Sequence, residues 1–357
     1  MAHQSVYHLK FQSRCIASQV GETERNRFIV GTTSLREENE IHLIQYHEDT
    51  SDITCDRVYS HPNEIWSIAP CPHDASLFFT CYNTGTESKG GLWRMTRLDD
   101  RAGDGLVNLP LEEKATLDPK GDFLRCVLWN PAGKRDSVLS IDESRVRLWA
   151  LEAGVKSMRE INVASPTKNQ KMWTGAWDPH HPEQLITACE SSIKGWDTRA
   201  LKQTSSIDQA HQLSVRDLDY NPNRPYVFVS GGDDNYIKFW DIRKTQAPLQ
   251  SFPAHSHWVC QTKYNRFHDQ FLISSSTDCM VNLWKEQSVS SVEGSTEEGA
   301  THSTKDGLVC KYEQHEESVY SVSWSASDAW SFASVSYDGR VAVSKVPESE
   351  KLHLLYS

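Results

Sequence analysis

The sequence predicts an all-β fold, a ring of seven four-stranded blades, and three observations carry that expectation. The first is a recurring tryptophan. VRLWALE at Val146, IKGWDTR at Ile193, IKFWDIR at Ile237 and VNLWKEQ at Val281 place Trp149, Trp196, Trp240 and Trp284 at near-even intervals. Trp93 in GGLWRM extends the series upstream, and Ile44 in EIHLIQY and Ser344 in GRVAVSK hold the same place at the two ends, making seven marks. The second is a histidine at one constant offset ahead of the mark: His211 before Trp240, His255 before Trp284 and His315 before Ser344. Ser230, Ser274 and Ser334 follow these histidines at a second constant offset, and Asp234, Asp278 and Asp338 at a third. The third is a set of short alternating runs in each unit, such as VRDLDY, PYVFVS, YIKFW and PLQSF, punctuated by Asn-Pro and Gly-Asp-Asp.

Four strands in a unit of roughly 44 residues is the pattern of a WD40 β-propeller blade. No blade buries its core alone, so the expectation is one domain over residues 1–357, with each sheet packed on its neighbours. Val6–Phe11 (VYHLKF) is placed to add the outer strand of the last blade and latch the ring, ahead of a first inner strand near Cys15–Val20. Lys351–Tyr356 (KLHLLY) is the alternative latch. Residues 286–307 are rich in Ser, Thr and Glu and poor in large apolar side chains, which predicts a disordered loop within the sixth blade. Asp99–Glu113 reads as a smaller insertion in the second blade.

Composition narrows the function. With 37 Lys+Arg against 48 Asp+Glu the net charge is −11, which argues against a sequence-independent nucleic-acid binder and against docking on an anionic membrane. The N-terminal residues lack the apolar core of a secretory signal, and no apolar run reaches the roughly 18–20 residues of a membrane span. Nine scattered cysteines with no C-x-x-C read as reduced thiols of a cytosolic protein.

The Ser/His/Asp sets contain the chemistry of a hydrolytic triad, but a triad is assembled once, in a cleft with an oxyanion hole. A set repeated at fixed offsets does repeated structural work. His211, Ser230, Asp234 and Trp240, then His255, Ser274, Asp278 and Trp284, then His315, Ser334 and Asp338, are therefore expected to form buried hydrogen-bond networks running Asp to His to Ser to the indole N–H. No catalytic residue, cofactor or metal is expected. In HSHWVCQTKYNRFHD, from His255 to Asp269, the inner strand Val259–Tyr264 holds His268 roughly 20–25 Å from His255 and His257, too far to share one ion.

Two features point to protein partners. At a fixed step past the network histidine stands the first position of the inner strand, read round the ring as Ile16, Trp66, Arg125, Trp173, Arg216, Cys260 and Tyr320, with Lys171, Trp258, Asp233 and Tyr337 beside it. Trp, Arg and Tyr at one recurring rim position is the composition of a protein–protein hot spot. The second feature is the consecutive WDTR and WDIR segments, whose Arg199 and Arg243 resemble the motif by which propellers dock on the adaptor of cullin-type ubiquitin ligases.

Several segments are more particular than the generic repeat. EIWSIAPCP at Glu64, TCYN at Thr80, WDPHHP at Trp177, GWDTR at Gly195, VRDLDYNPN at Val215, HSHWV at His255, HDQ at His268, HEESVYSVSWS at His315 and SYDGR at Ser336 together resemble the EARP and GARP complex-interacting protein family over nearly the whole chain. Cys260, where an aromatic is expected, and Lys285 in place of Asp after Trp284 depart from that pattern. The resemblance implies a non-enzymatic scaffold, monomeric within a larger assembly. It would bind subunits of two related tethering complexes, without membrane insertion, at the trans-Golgi network and recycling endosomes. The roles implied are endosomal recycling and endosome-to-trans-Golgi transport.

Overall fold

Several second strands begin with a continuous apolar run in place of alternation, as in VFV of Val227–Gly232 and FLI of Phe271–Ser276, which is the pattern of a strand covered on both faces. The computed structural model, which describes residues 5–96, 108–120, 122–131, 137–151, 156–163, 171–291 and 306–356, shows why. Seven four-stranded antiparallel blades surround an axis, and each middle strand is sandwiched between two neighbouring blades. The inner strands are Ser13–Ser18, Glu64–Pro70, Leu124–Trp129, Met172–Trp177, Val215–Tyr220, Val259–Tyr264 and Val319–Trp324, and each lies beside the next round the ring.

The core is a set of clusters, each shared by two blades. Val229 and Phe239 of the fifth blade pack with Tyr264, Leu272 and Trp284 of the sixth. Phe271, Ile273 and Leu283 of the sixth pack with Val322, Trp324 and Phe332 of the seventh. Adjacent inner strands do not pair through their backbones, so their channel-side N–H groups need other acceptors. Side chains of the preceding blade supply them. Asp217 and Asp219 accept from Thr262 N and Tyr264 N, both at 2.9 Å, and Gln261 accepts from Val322 N at 2.9 Å. Ser321 and Ser323 accept from Ile16 N and Ser18 N at 3.2 and 2.9 Å, carrying the lacing across the closure.

The ring is latched by the N-terminal strand. Ser5–His8 pairs antiparallel with Arg340–Lys345 and completes the seventh blade. Gly339 turns the chain there with φ +82°, and a Cβ on it would meet the Phe11 carbonyl at 2.4 Å. The alternative latch, Lys351–Tyr356, is instead part of a helix, Glu348–Tyr356, that starts after Pro347 with Glu348 and Glu350 in its first turn. Its Glu350 reaches Lys285 at 2.7 Å, and Leu354 packs against the cluster between blades six and seven.

Two expected insertions are corrected where they are described. Residues 286–291 are packed: Val289 joins the core between blades five and six, and Ser291 is held by Asp269. At the far end Asp306 accepts from Gln287 N at 2.8 Å, and Gly307 opens the outer strand Gly307–Tyr312. Residues 292–305 lie outside the described residues. In the second blade, Asn108–Leu117 is a strand, so the expected insertion Asp99–Glu113 ends before Asn108; residues 99–107 lie outside the described residues. The start of that strand also pairs parallel with the outer strand of the first blade at Val58–Ser60, joining two blades into one eight-stranded sheet.

Candidate functional site at the channel mouth

The networks hold the blades rigid behind this site. In the fifth blade Trp240 donates to Ser230 Oγ at 2.9 Å, Ser230 meets His211 Nε2 at 2.7 Å, and His211 Nδ1 meets Asp234 at 2.7 Å. The sixth repeats it with Trp284, Ser274, His255 and Asp278 at 2.9, 2.8 and 3.1 Å. Because the indole N–H occupies the serine oxygen, the serine proton goes to Nε2 and the histidine donates from Nδ1 to the carboxylate; this tautomer is assigned from the network. Burial pushes His211 below its usual pKa, which keeps the ring neutral.

The seventh blade corrects the expected contact. His315 Nε2 meets Ser334 at 2.8 Å as expected, but Nδ1 meets Ser336 at 2.8 Å, and Asp338 is reached only through Ser336. A network in the second blade escapes the offsets: His61, Thr80 and Trp93 are joined at 3.1 and 2.8 Å, with threonine for serine and a longer hairpin that widens the spacing from histidine to tryptophan. Trp149 and Trp196 donate likewise to Ser140 and Thr187, at 2.8 and 2.9 Å. A hydroxyl at a constant short spacing ahead of the tryptophan is the signal that finds these two.

Every inner strand carries a register shift in its first turn of pairing, and the extra residue is Arg14, Trp66, Arg125, Trp173, Arg216, Cys260 or Tyr320, one per blade. A bulge leaves its residue unpaired in the ladder and re-aims the side chain. Six of the seven expected rim residues occupy these bulges. The seventh does not: Ile16 is buried two positions further along, and Arg14 holds the first blade's place.

The re-aimed side chains meet across blade boundaries. The Arg14 guanidinium lies 4.6 Å from the Tyr320 ring, 5.2 Å from Tyr337 and 4.9 Å from Trp66. Trp66 stands edge-on to Phe123 at 5.7 Å, and Phe123 lies 4.9 Å from the Arg125 guanidinium. Trp173 receives Arg125 at 4.5 Å and Arg216 at 4.4 Å, and Arg216 reaches Trp258 at 5.4 Å. Cation and ring thus alternate around one end of the channel, each contact contributing about 0.5–2 kcal/mol. Phe123 is not expected from the repeat, because it lies two positions before the bulge.

Turns between second and third strands supply counter-charges. Asp233 takes Arg216 in a two-pronged pair at 2.7 and 2.8 Å, and Glu143 holds both Arg125 at 2.7 Å and Lys171 at 2.9 Å. Burial, with the nearby Arg216 charge adding to it against Glu143, lowers the Arg125 pKa. Trp258 and Tyr337 are 44% and 38% exposed, so the mouth opens to solvent with apolar surface. Burial pushes the Cys260 thiol up to about 12, leaving it an unreactive gap in the series.

Arg199 and Arg243 stand at the opposite end. Their turns follow Asp197 and Asp241, which pair with Gln184 and Val227 at the starts of second strands, where the inner strands have already exited. Arg243 is held by Asp241 and lies 4.4 Å from the Tyr226 ring, while Arg199 pairs with Glu183 at 3.1 Å. His255 and His268 likewise fall at the two ends of one inner strand, and His257 meets Thr277 at the mouth. Among the described residues no group of three potential ligands gathers to hold a metal ion, and no helix is long and apolar enough to cross a membrane.

A closed ring of seven four-stranded blades, braced by buried Trp–Ser–His–Asp networks and carrying bulge-presented Arg and aromatic side chains at one mouth, defines a WD40 β-propeller. The chain belongs to the EIPR1 beta-propeller family, whose model matches residues 1–284, and a WD domain, G-beta repeat model matches residues 307–343. It is 35% identical to the human EARP and GARP complex-interacting protein 1, with 98% of each chain covered. It is 38% identical to the EARP-interacting protein homolog of Danio rerio over the same 98% shares, and 36% identical to the WD repeat-containing protein DWA2 of Arabidopsis thaliana over 95% of each.

Proposed function

We propose that this chain is a non-enzymatic scaffold that engages subunits of the EARP and GARP tethering complexes through its channel mouth. On this reading it works in endosomal recycling and endosome-to-trans-Golgi transport as a single propeller within a larger assembly, peripheral to those membranes. The names of full-length relatives that interact with both complexes support the partner. The observation that carries the surface is the convergence of seven bulge residues, three Arg, two Trp, a Tyr and a Cys, on one mouth. Rings stacked with guanidinium groups offer rigid, half-desolvated anchors of the kind that dominate protein interfaces. Affinity purification of the tagged chain from cells with mass spectrometry of its partners tests the reading: tether subunits are expected, and their absence overturns it.

The second reading is docking on a cullin-type ligase adaptor through Arg199 and Arg243. The exposure of these side chains, 74% and 59%, on a common end of the ring favours it. An adaptor that fails to bind the wild-type chain removes it, as does binding undiminished by Arg199→Ala with Arg243→Ala.

A further inference from the structure

The rim cations are not equivalent. Arg125 and Lys171 share Glu143, and Arg216 is clamped by Asp233. Arg14 has no carboxylate within ion-pair distance among the described residues; rings surround it instead, with its guanidinium 4.6–5.2 Å from Tyr320, Trp66 and Tyr337. A guanidinium stacked on rings through its face keeps its in-plane N–H groups available, and those groups match a carboxylate fork. A second, independent feature adjoins it. The indole N–H of Trp66 is buried and has no acceptor among the described residues, unlike the tryptophans of the networks. A buried donor left without an acceptor carries a desolvation cost that a bound acceptor relieves.

We infer that Arg14 and Trp66 form an acceptor-binding site for a carboxylate side chain, and that the partner segment entering the channel mouth is acidic. The inference rests on the mouth being the partner surface and adds the chemistry of the segment that docks there. Arg14 supplies the charge and the two-pronged donor, and Trp66 supplies a single N–H from the neighbouring blade. Tyr320 and Tyr337 hold the guanidinium in place so that little side-chain freedom is lost on binding. A basic segment is disfavoured, because at this place it would meet the Arg14 charge, which no carboxylate among the described residues offsets.

The test uses the full chain, a fluorescent oligo-glutamate peptide and its oligo-glutamine counterpart. Binding is read by anisotropy and by the indole N–H signals of the 15N-labelled protein, with the Trp66 signal assigned through Trp66→Phe. Oligo-glutamate is expected to move the Trp66 signal, and oligo-glutamine to leave it in place. Arg14→Gln is expected to weaken oligo-glutamate by about tenfold or more, and Arg14→Lys, which keeps charge without the fork, by an intermediate factor. Equal binding of the two peptides, or Arg14→Gln and Arg14→Lys proteins that bind oligo-glutamate like wild type, overturns the inference. Those results leave the scaffold reading standing if tether subunits still require the mouth. Conversely, Arg14-dependent binding by a chain that captures no tether subunit sinks the scaffold reading alone.

Discussion

The guanidinium of Arg216 lies 4.4 Å from the ring of Trp173, and the two residues come from different blades at the same bulge position. That contact shows what the bulge does. In a regular ladder the first residues of an inner strand would alternate between the two faces of their own sheet. The extra residue frees one side chain per blade to leave its sheet and meet its counterpart next door. The mouth is thus a product of the repeat, and its chemistry is set by seven residues that no pairing constrains.

The networks behind the mouth predict a stability cost out of proportion to the atoms removed. Ser274→Ala deletes one hydroxyl but leaves both the Trp284 indole N–H and His255 Nε2 without their partner. We expect a loss of about 2–3 kcal/mol in urea unfolding. A loss below about 0.5 kcal/mol would mean the network is not satisfied as described.

The buried histidines predict a dependence on pH. Burial depresses both His61 and His315 from 6.5 to about 4, so the unfolded chain binds their protons first. Their contribution is complete above pH 6.5 and is lost as pH falls toward 4, on the order of 3 kcal/mol for each. Glu286, raised to about 7 by burial and a hydrogen bond to Asp306, works in the opposite sense between pH 4.5 and 7, so the wild-type curve alone does not isolate the effect. His61→Asn should flatten the acid loss relative to wild type in unfolding midpoints measured from about pH 7.5 down to about pH 4. Parallel curves for the two proteins contradict the assignment.

Closure by the N-terminal strand predicts that small changes at the latch act on the whole ring. Gly339→Ala forces a side chain onto a left-handed backbone and against the Phe11 carbonyl. A loss of about 2 kcal/mol or more is expected. Removing residues 1–9 takes away the Ser5–His8 strand and buried Leu9 and should cost more still, whereas removing residues 352–357 from the helix should cost less. The reverse order in thermal unfolding would show that the helix, not the strand, secures the ring.

Legibility in the sequence follows the physics. Blades five and six are readable because Trp, Ser, His and Asp must sit at fixed offsets to bond one another, and the seventh keeps the His, Ser and Asp offsets although it lacks the tryptophan and its His315 bonds Ser336 instead of Asp338. The second blade hides the same geometry behind a longer hairpin and a threonine. The first blade has neither tryptophan nor histidine at its marks, so nothing anchors its register; the expected start lies two positions late, and Ile16 stands in for Arg14. KLHLLY alternates like a strand, yet the preceding Pro347 and the acidic first turn favour a helix start that alternation alone does not reveal. The pairing of Val58–Ser60 with Asn108–Pro110 is non-local and has no signature at all.

The central claim is that the bulge residues at the mouth bind the tether, and one measurement tests it most directly. The affinity of purified tether for the wild-type chain is compared with that for the folded variant carrying Trp66→Ala, Trp173→Ala and Tyr320→Ala, with Arg199→Ala plus Arg243→Ala as the opposite-face control. The account predicts a loss of about hundredfold or more for the mouth variant and no change for the control. Tether binding that survives the loss of all three rings at wild-type strength would contradict it.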